Sequence, residues 1–295
     1  MERCQGMRDL LPEEMSRFRH IENIFRQTCV KWGYEEIRTP VLEYLHLFTS
    51  AGTLSPDMLG RVYSFLDWDG WSGQRVVLRP DGTIPTARLY ISQLQQPPAR
   101  LCYVQNVFSF QASQRERWQC GVEFIGGTPP GADAELIRLS LEVLRGLGIE
   151  PELRLGHMGL VKALLRETGQ DEEALHQILR RDLEPLIKAR PELERPLSLL
   201  FELKGNSAGF LRNIQSLLLP QLPGIAPALT DFLALTELLT SLGCSYEIDM
   251  ALADGFEYYT GVVFQFFAAG ERLGSGGRYD NLIPLLEGQA LPASG

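Results

Sequence analysis

Two stretches near the end of the chain are the richest in side chains that could do chemistry. They read Gly255-Phe256-Glu257-Tyr258-Tyr259-Thr260-Gly261-Val262-Val263-Phe264 and Gly274-Ser275-Gly276-Gly277-Arg278-Tyr279-Asp280. Tyrosine hydroxyls and glycine backbone suit a pocket that holds a polar ligand closely. Two earlier stretches add acids and an amide: Leu78-Arg79-Pro80-Asp81-Gly82-Thr83 and Trp118-Gln119-Cys120-Gly121-Val122-Glu123. Each alone also has a plain structural reading, the first of these two as a turn and Tyr258-Tyr259 as strand packing. Other chemistries are poorly served. Cys4, Cys29, Cys102, Cys120 and Cys244 are odd in number and form no C-x-x-C pair, so neither a disulfide framework nor a zinc site is indicated. His20, His46, His157 and His176 make no H-x-x-x-H pattern and read as surface or satisfied core histidines. Gly146-Leu147-Gly148 closes a helix pattern instead of opening one, and Gly274-Ser275-Gly276 lacks the later acid that a dinucleotide site wants.

These stretches need a frame of strands and helices. Pro12-Glu13-Glu14 opens a helix, because proline suits the first turn and acids suit the positive end of its dipole. Met15, Phe18, Ile21, Ile24, Phe25 and Val30 recur at roughly helical spacing, and Gly33 ends the run. Tyr34 to Glu43 reads as a strand demoted by Pro40 to an edge or an interface. Val62 to Leu66 and Arg75 to Leu78 form a hairpin pattern with Asp69-Gly70 in the connection, and Asp81 caps a helix running to Leu94. Residues 101–110 and 118–125 pair as strands, and an amphipathic helix from Leu136 to Leu147 stops at Gly148. After a short strand at 152–155, residues 161–240 are leucine-rich, helical in period and broken by five prolines. Strands resume at 246–251, 257–267 and 271–273, the last two joined by Ala268-Ala269-Gly270. Hairpin-paired strands with helices between them indicate an α+β fold with a largely antiparallel sheet. The organisation expected is a core in two parts, 1–160 and 241–295, around a helical insertion at 161–240.

The chain has 295 residues, 44% hydrophobic and 22% charged, with 28 basic against 37 acidic residues and a net charge of -9. That acidic balance argues against a nucleic-acid binder, which usually shows a basic footprint. No apolar run approaches bilayer length, and Met1-Glu2-Arg3-Cys4-Gln5-Gly6 lacks the apolar core of a signal peptide. The expected location is therefore cytoplasmic, without a membrane partner.

Five short stretches in one order resemble the histidyl-tRNA synthetase family of class II synthetases. Gly6-Met7-Arg8-Asp9-Leu10-Leu11-Pro12 is similar to its N-terminal signature, and the first helix with the Pro40 strand resembles motif 1, the dimer interface of that fold. The Leu78–Thr83 and Trp118–Glu123 stretches resemble the amino-group loop and the second strand of motif 2, and the two tyrosine stretches resemble the histidine signatures. The resemblance implies that Asp81 and Thr83 receive the ammonium group of histidine with help from Gln119. It also implies that Glu123 accepts from one imidazole nitrogen, with Tyr259 and Tyr279 near the other, Gly276 and Gly277 letting backbone approach the ring, and Tyr258 as a further histidine-binding candidate.

The departures are as informative. Ser109 stands where the family's ATP-clamping arginine belongs, Gln111 where an acid belongs, and Asp254 where a second arginine precedes the first tyrosine signature. Arginine serves such sites by its bidentate grip on phosphate, and losing two such charges should leave no useful adenylation. Arg115, Arg117 and Arg278 are the local cations that could compensate. The chain ends at Pro292-Ala293-Ser294-Gly295, about where motif 3 begins, so no anticodon-binding domain is expected. A synthetase-like body that keeps a histidine pocket and loses its ATP clamp resembles the regulatory subunits of ATP phosphoribosyltransferase. That implies a non-catalytic homodimer in histidine biosynthesis, without cofactor or metal. Its partner would be the short-form ATP phosphoribosyltransferase catalytic subunit, with L-histidine as a ligand and no tRNA. An enzyme reading, a histidyl-tRNA synthetase or related ligase with an atypical ATP site, is the alternative. A free-standing histidine sensor acting on another partner is the third.

Overall fold

Proline and glycine punctuation sets the first elements. The computed structural model describes residues 2–52, 60–68, 73–110, 113–202, 204–252 and 258–295, apart from the side chains at 172, 173 and 176. Helix α1 (Pro12–Lys31) has proline in its first turn with Glu13 and Glu14, and Gly33 follows it with φ of 78°. Pro40 splits the expected strand 34–43 into β1 (Glu35–Glu36) and β2 (Leu42–Tyr44), because a proline cannot donate to a ladder. After helix α2 (Leu45–Ser50) come β3 (Ser64–Trp68) and β4 (Gly73–Leu78), which pair antiparallel; the Asp69-Gly70 connection lies outside the described residues. Helix α3 (Thr83–Leu89) continues into a π turn, Tyr90–Leu94.

Strands β5 (Ala99–Phe108) and β6 (Glu116–Ile125) pair antiparallel over ten residues, and β1 joins β5 in parallel. With the C-terminal segment these make one four-stranded sheet, while β2-β4-β3 form a separate three-stranded one. Residues 1–127, 280–293 and 295 form one compact unit.

The second unit comprises residues 128–279 and 294. It opens with α4 (Gly131–Gly146), followed by Gly148 at φ 75°, then β7 (Glu152–His157) and α5 (Met158–Thr168). Four further helices lie before the next long one: α6 (Glu172–Leu179), α7 (Glu184–Ala189), α8 (Glu194–Glu202) and α9 (Ala208–Leu218). Helix α10 (Ala226–Ser241) completes this helical run. Its leucines are core: Leu197, Leu200, Leu211, Leu218, Leu229 and Leu239 are all fully buried.

Strands β8 (Glu247–Ile248), β9 (Val262–Ala268) and β10 (Glu271–Gly277) complete a sheet in the order β10-β9-β7-β8. β8 is shorter than the expected 246–251. β10 runs past the expected Leu273 through the glycine run, held opposite β9 as far as the Gly277–Val263 pair. Two pairings, β1 with β5 and β7 with β8, are parallel; the others among the named strands are antiparallel. The fold is thus α+β, with antiparallel pairing dominant, as the strand pattern indicates.

Candidate functional site

In the first unit, α3 and the β5–β6 pair bring the early polar stretches together. Asp81 is buried at the start of α3, and its Oδ1 accepts from the Ile84 N–H at 3.0 Å. Burial pushes its carboxyl up from the usual 3.8 to about 6, against the opposing pull of the Ile84 and Thr83 N–H groups. Gln119 Oε1 accepts from the Gly82 N–H at 3.1 Å, which ties β6 to the Asp81 loop.

The centre of this cluster is Tyr103 on β5, a residue that the motif reading misses. It is 1% exposed; its hydroxyl donates to Glu123 Oε1 at 3.0 Å and accepts from Gln119 Nε2 at 3.3 Å, and it also bonds to the Thr83 side chain. Burial and the neighbouring Glu123 charge hold the phenol well above its usual range. The ring lies between two glycines. A Cβ at Gly82 would stand 2.3 Å from it and one at Gly121 2.2 Å, so both positions require glycine. Gly82, next to Asp81, and Gly121, opposite Tyr103 in register, are the signal that could have found it. Asp81, Thr83, Gln119 and Glu123 therefore do converge, with one Glu123 oxygen bonded to Tyr103 and the other lying against Gly295.

Arg79 has a different role from its neighbours. It is 2% exposed, and its guanidinium donates to the carbonyls of Thr39 (2.6 Å), Pro40 (2.9 Å) and Asn106 (2.7 Å) and to Asn106 Oδ1 (2.9 Å). It fastens the Pro40 segment and β5 to the loop that carries Asp81.

In the second unit the tyrosines cluster. The rings of Tyr258 and Tyr259 lie 4.9 Å apart and those of Tyr258 and Tyr279 5.8 Å apart, edge to face, and all three are buried. Gly277 packs against this cluster: a Cβ there would stand 2.6 Å from the Val262 carbonyl and 2.8 Å from the Tyr259 ring. Gly276 is buried opposite Phe264. Lys162 on α5 donates to the Tyr259 carbonyl at 3.0 Å.

Two of the three candidate compensating cations are otherwise engaged. Arg278 is 4% exposed and grips Asp133 of α4 with two parallel bonds, 3.1 and 2.7 Å. Arg115 packs on the Phe110 ring, 4.8 Å from its centroid, and its N–H donates to the Gly6 carbonyl. Arg117 is exposed. Ser109 is half-buried in the turn between β5 and β6, its N–H donating to the Arg115 carbonyl. Gln111 and Asp254 lie outside the described residues. His157 is a satisfied core histidine: Nδ1 accepts from the Leu160 N–H at 3.0 Å, and burial, then the Arg278 charge, hold it down to about 4. Among the described residues no cluster of His, Cys, Asp and Glu could hold a metal ion, and no helix is long and apolar enough to cross a membrane.

The family profile described as "Histidyl-tRNA synthetase" matches residues 6–295. A protein of Dehalococcoides mccartyi named "ATP phosphoribosyltransferase regulatory subunit" is 55% identical over 305 residues, covering 99% of this chain and 74% of that protein. The "Histidine--tRNA ligase" of Methanosarcina acetivorans is 34% identical, covering 99% and 72%. A solved structure from Bacillus halodurans, titled as an ATP phosphoribosyltransferase regulatory subunit/histidyl-tRNA synthetase, superposes with a TM-score of 0.84 at 32% identity, covering 99% of this chain and 79% of that one. By sequence and by fold, the chain belongs to the histidyl-tRNA synthetase family, in which proteins named as ATP phosphoribosyltransferase regulatory subunits share 55% of its residues.

Proposed function

We propose that this protein is the regulatory subunit of an ATP phosphoribosyltransferase, serving the first step of histidine biosynthesis without chemistry of its own. The observation that carries this reading is a split in the family's site. The Asp81–Thr83–Gln119–Glu123 group stays as one hydrogen-bonded cluster around the buried Tyr103, whereas serine stands at the ATP-clamp position and Arg278 is neutralised by Asp133. Relatives at 55% identity carry the regulatory-subunit name. In this reading Asp81, Thr83 and Gln119 hold the ammonium of histidine, and Glu123, with the Tyr103 hydroxyl, meets a ring nitrogen. Tyr258, Tyr259, Tyr279, Gly276 and Gly277 form a separate cluster in the second unit, and the family resemblance makes them histidine-binding candidates in their own right. The helical stretch 161–240 is an insertion into the core. The partner is a short-form catalytic subunit, and no tRNA is used.

Histidine-dependent ATP–pyrophosphate exchange by the purified protein is expected to stay at background, because two placed cations are missing and each such loss costs a few kcal/mol of transition-state stabilisation. The same preparation is expected to raise the activity of a short-form catalytic subunit. Exchange clearly above background would overturn the regulatory reading.

We also infer a homodimer through α1 and the Pro40 segment. Leu11, Ile21, Val30, Val41, Leu42 and Tyr44 are large apolar side chains left exposed on these elements. Two-fold pairing is the commonest way to cover such a face. Sedimentation at micromolar concentration is expected to give a dimer, and a monomer there sinks the inference.

A further inference from the structure

β5 and β6 stay in register over ten residues, so directly opposed residues share a face of the sheet. On the face that packs against Asp81–Thr83, the opposed pairs run Leu101/Glu123, Tyr103/Gly121 and Gln105/Gln119. Every polar side chain in this row except one is accounted for by the cluster described above.

The exception is Gln105. It is 2% exposed, and its Oε1 accepts from the Thr39 hydroxyl at 3.2 Å and from the Thr39 N–H at 3.4 Å. A backbone N–H can only donate, and the Thr39 hydroxyl oxygen already accepts from Arg79 at 3.3 Å. The amide is therefore oriented with its oxygen toward Thr39. Its Nε2, carrying two N–H donors, has no partner among the described residues. Buried amide donors are almost always paired, and an orphan in a polar cluster calls for an explanation.

We propose that Gln105 is a ligand-binding residue of this site, its Nε2 donating to the α-carboxylate of the bound amino acid. The proposal rests on the reading of the cluster as a histidine pocket. With the ring at the Glu123 end and the ammonium at Asp81 and Gln119, the carboxylate lies one carbon from the ammonium nitrogen, at the Gln119 end of the row. Gln105 stands directly across from Gln119 there. A carboxylate needs donors, and Asp254 offers no cation where the family has arginine. A buried carboxamide supplies N–H groups without adding charge, which suits retention of an amino acid better than activation of its carboxylate.

Calorimetry on the full chain with histidine and with histidinol tests this. Histidinol keeps the ring and the ammonium but has a hydroxymethyl group instead of the carboxylate. Gln105→Glu at pH 8 keeps an acceptor for Thr39 and turns the donor into a negative oxygen. Gln105→Met keeps the length and removes the donor. Both variants are expected to lose about tenfold or more in histidine affinity, the scale of a hydrogen bond to a charged group, with histidinol affinity unchanged. Unchanged histidine affinity overturns the proposal. Equal losses for both ligands also overturn it, because Gln105 then acts only through Thr39. If Gln105→Met does not fold, Gln105→Glu decides alone. A wild-type protein that binds neither ligand refutes the histidine pocket itself, and this proposal with it.

Discussion

Arg278→Met is expected to lower the unfolding free energy by about 3–5 kcal/mol, because it takes the bidentate guanidinium away from the buried Asp133 carboxylate. Both partners are almost fully buried, at 4% and 3% exposure, and two parallel bonds join them. Removing one partner takes a bidentate ion pair away from a buried charge, whereas removing both takes the two charges away together. Asp133→Leu/Arg278→Met should therefore be more stable than either single variant, a strong departure from additivity. Urea unfolding of the four proteins measures it. Additive losses would show that the pair contributes little beyond its separate packing. A second readout is the titration of His157. Burial is the larger reason for its low value of about 4, and the Arg278 charge the next. In Arg278→Met its pKa should rise, but stay below the ordinary histidine range.

Asp81→Asn is expected to weaken histidine binding roughly thirtyfold or more. Truncating one member of a desolvated charge pair costs about 2–5 kcal/mol. The pH dependence follows from the shifted carboxyl. Its folded value of about 6 stands above the ordinary 3.8. Between these values the folded protein holds a proton that the unfolded chain has released, so stability falls as pH rises through roughly 4 to 6. Above pH 6 the buried carboxylate is charged, and a bound ammonium group offsets that cost. Stabilisation by histidine should therefore grow from pH 5 to pH 8 in the wild type. In Asp81→Asn the ligand-free protein should be more stable at pH 8, and its dependence on pH flatter. Histidine's own imidazole titrates in the same range, so the quantity to read is the difference between wild type and variant in thermal shift and calorimetry. Glu123→Gln is the comparator: it removes a charge-assisted bond and should cost about tenfold or more. If the pocket is also the feedback site, inhibition of the partner enzyme by histidine shifts with it, because coupling between sites is reciprocal. Weakened binding with unchanged inhibition would place the feedback site elsewhere.

Local punctuation and period were enough to read most elements from the sequence. Pro12 and Gly33 bound the first helix because proline fits a first turn and glycine adopts positive φ. The ten-residue pair β5–β6, the α4 helix ending before Gly148 and the Ala268-Ala269-Gly270 turn were legible for the same local reasons. The serine at position 109, where the family resemblance expects a clamping arginine, is equally plain in the sequence, and serine cannot act as a cation in any fold.

Partner choice was not legible, because it depends on register and burial between residues far apart in the chain. Arg278 reads as an available cation until α4 brings Asp133 to it from 145 positions away. Arg79 reads as part of a binding loop until its guanidinium is found spent on the carbonyls of Thr39, Pro40 and Asn106. Tyr103 and Gln105 carry no motif. Only the pleat, which sets residues 103, 105, 119, 121 and 123 on one face, and the burial of Tyr103 and Gln105 make one the hub of the cluster and leave the other with an unspent donor.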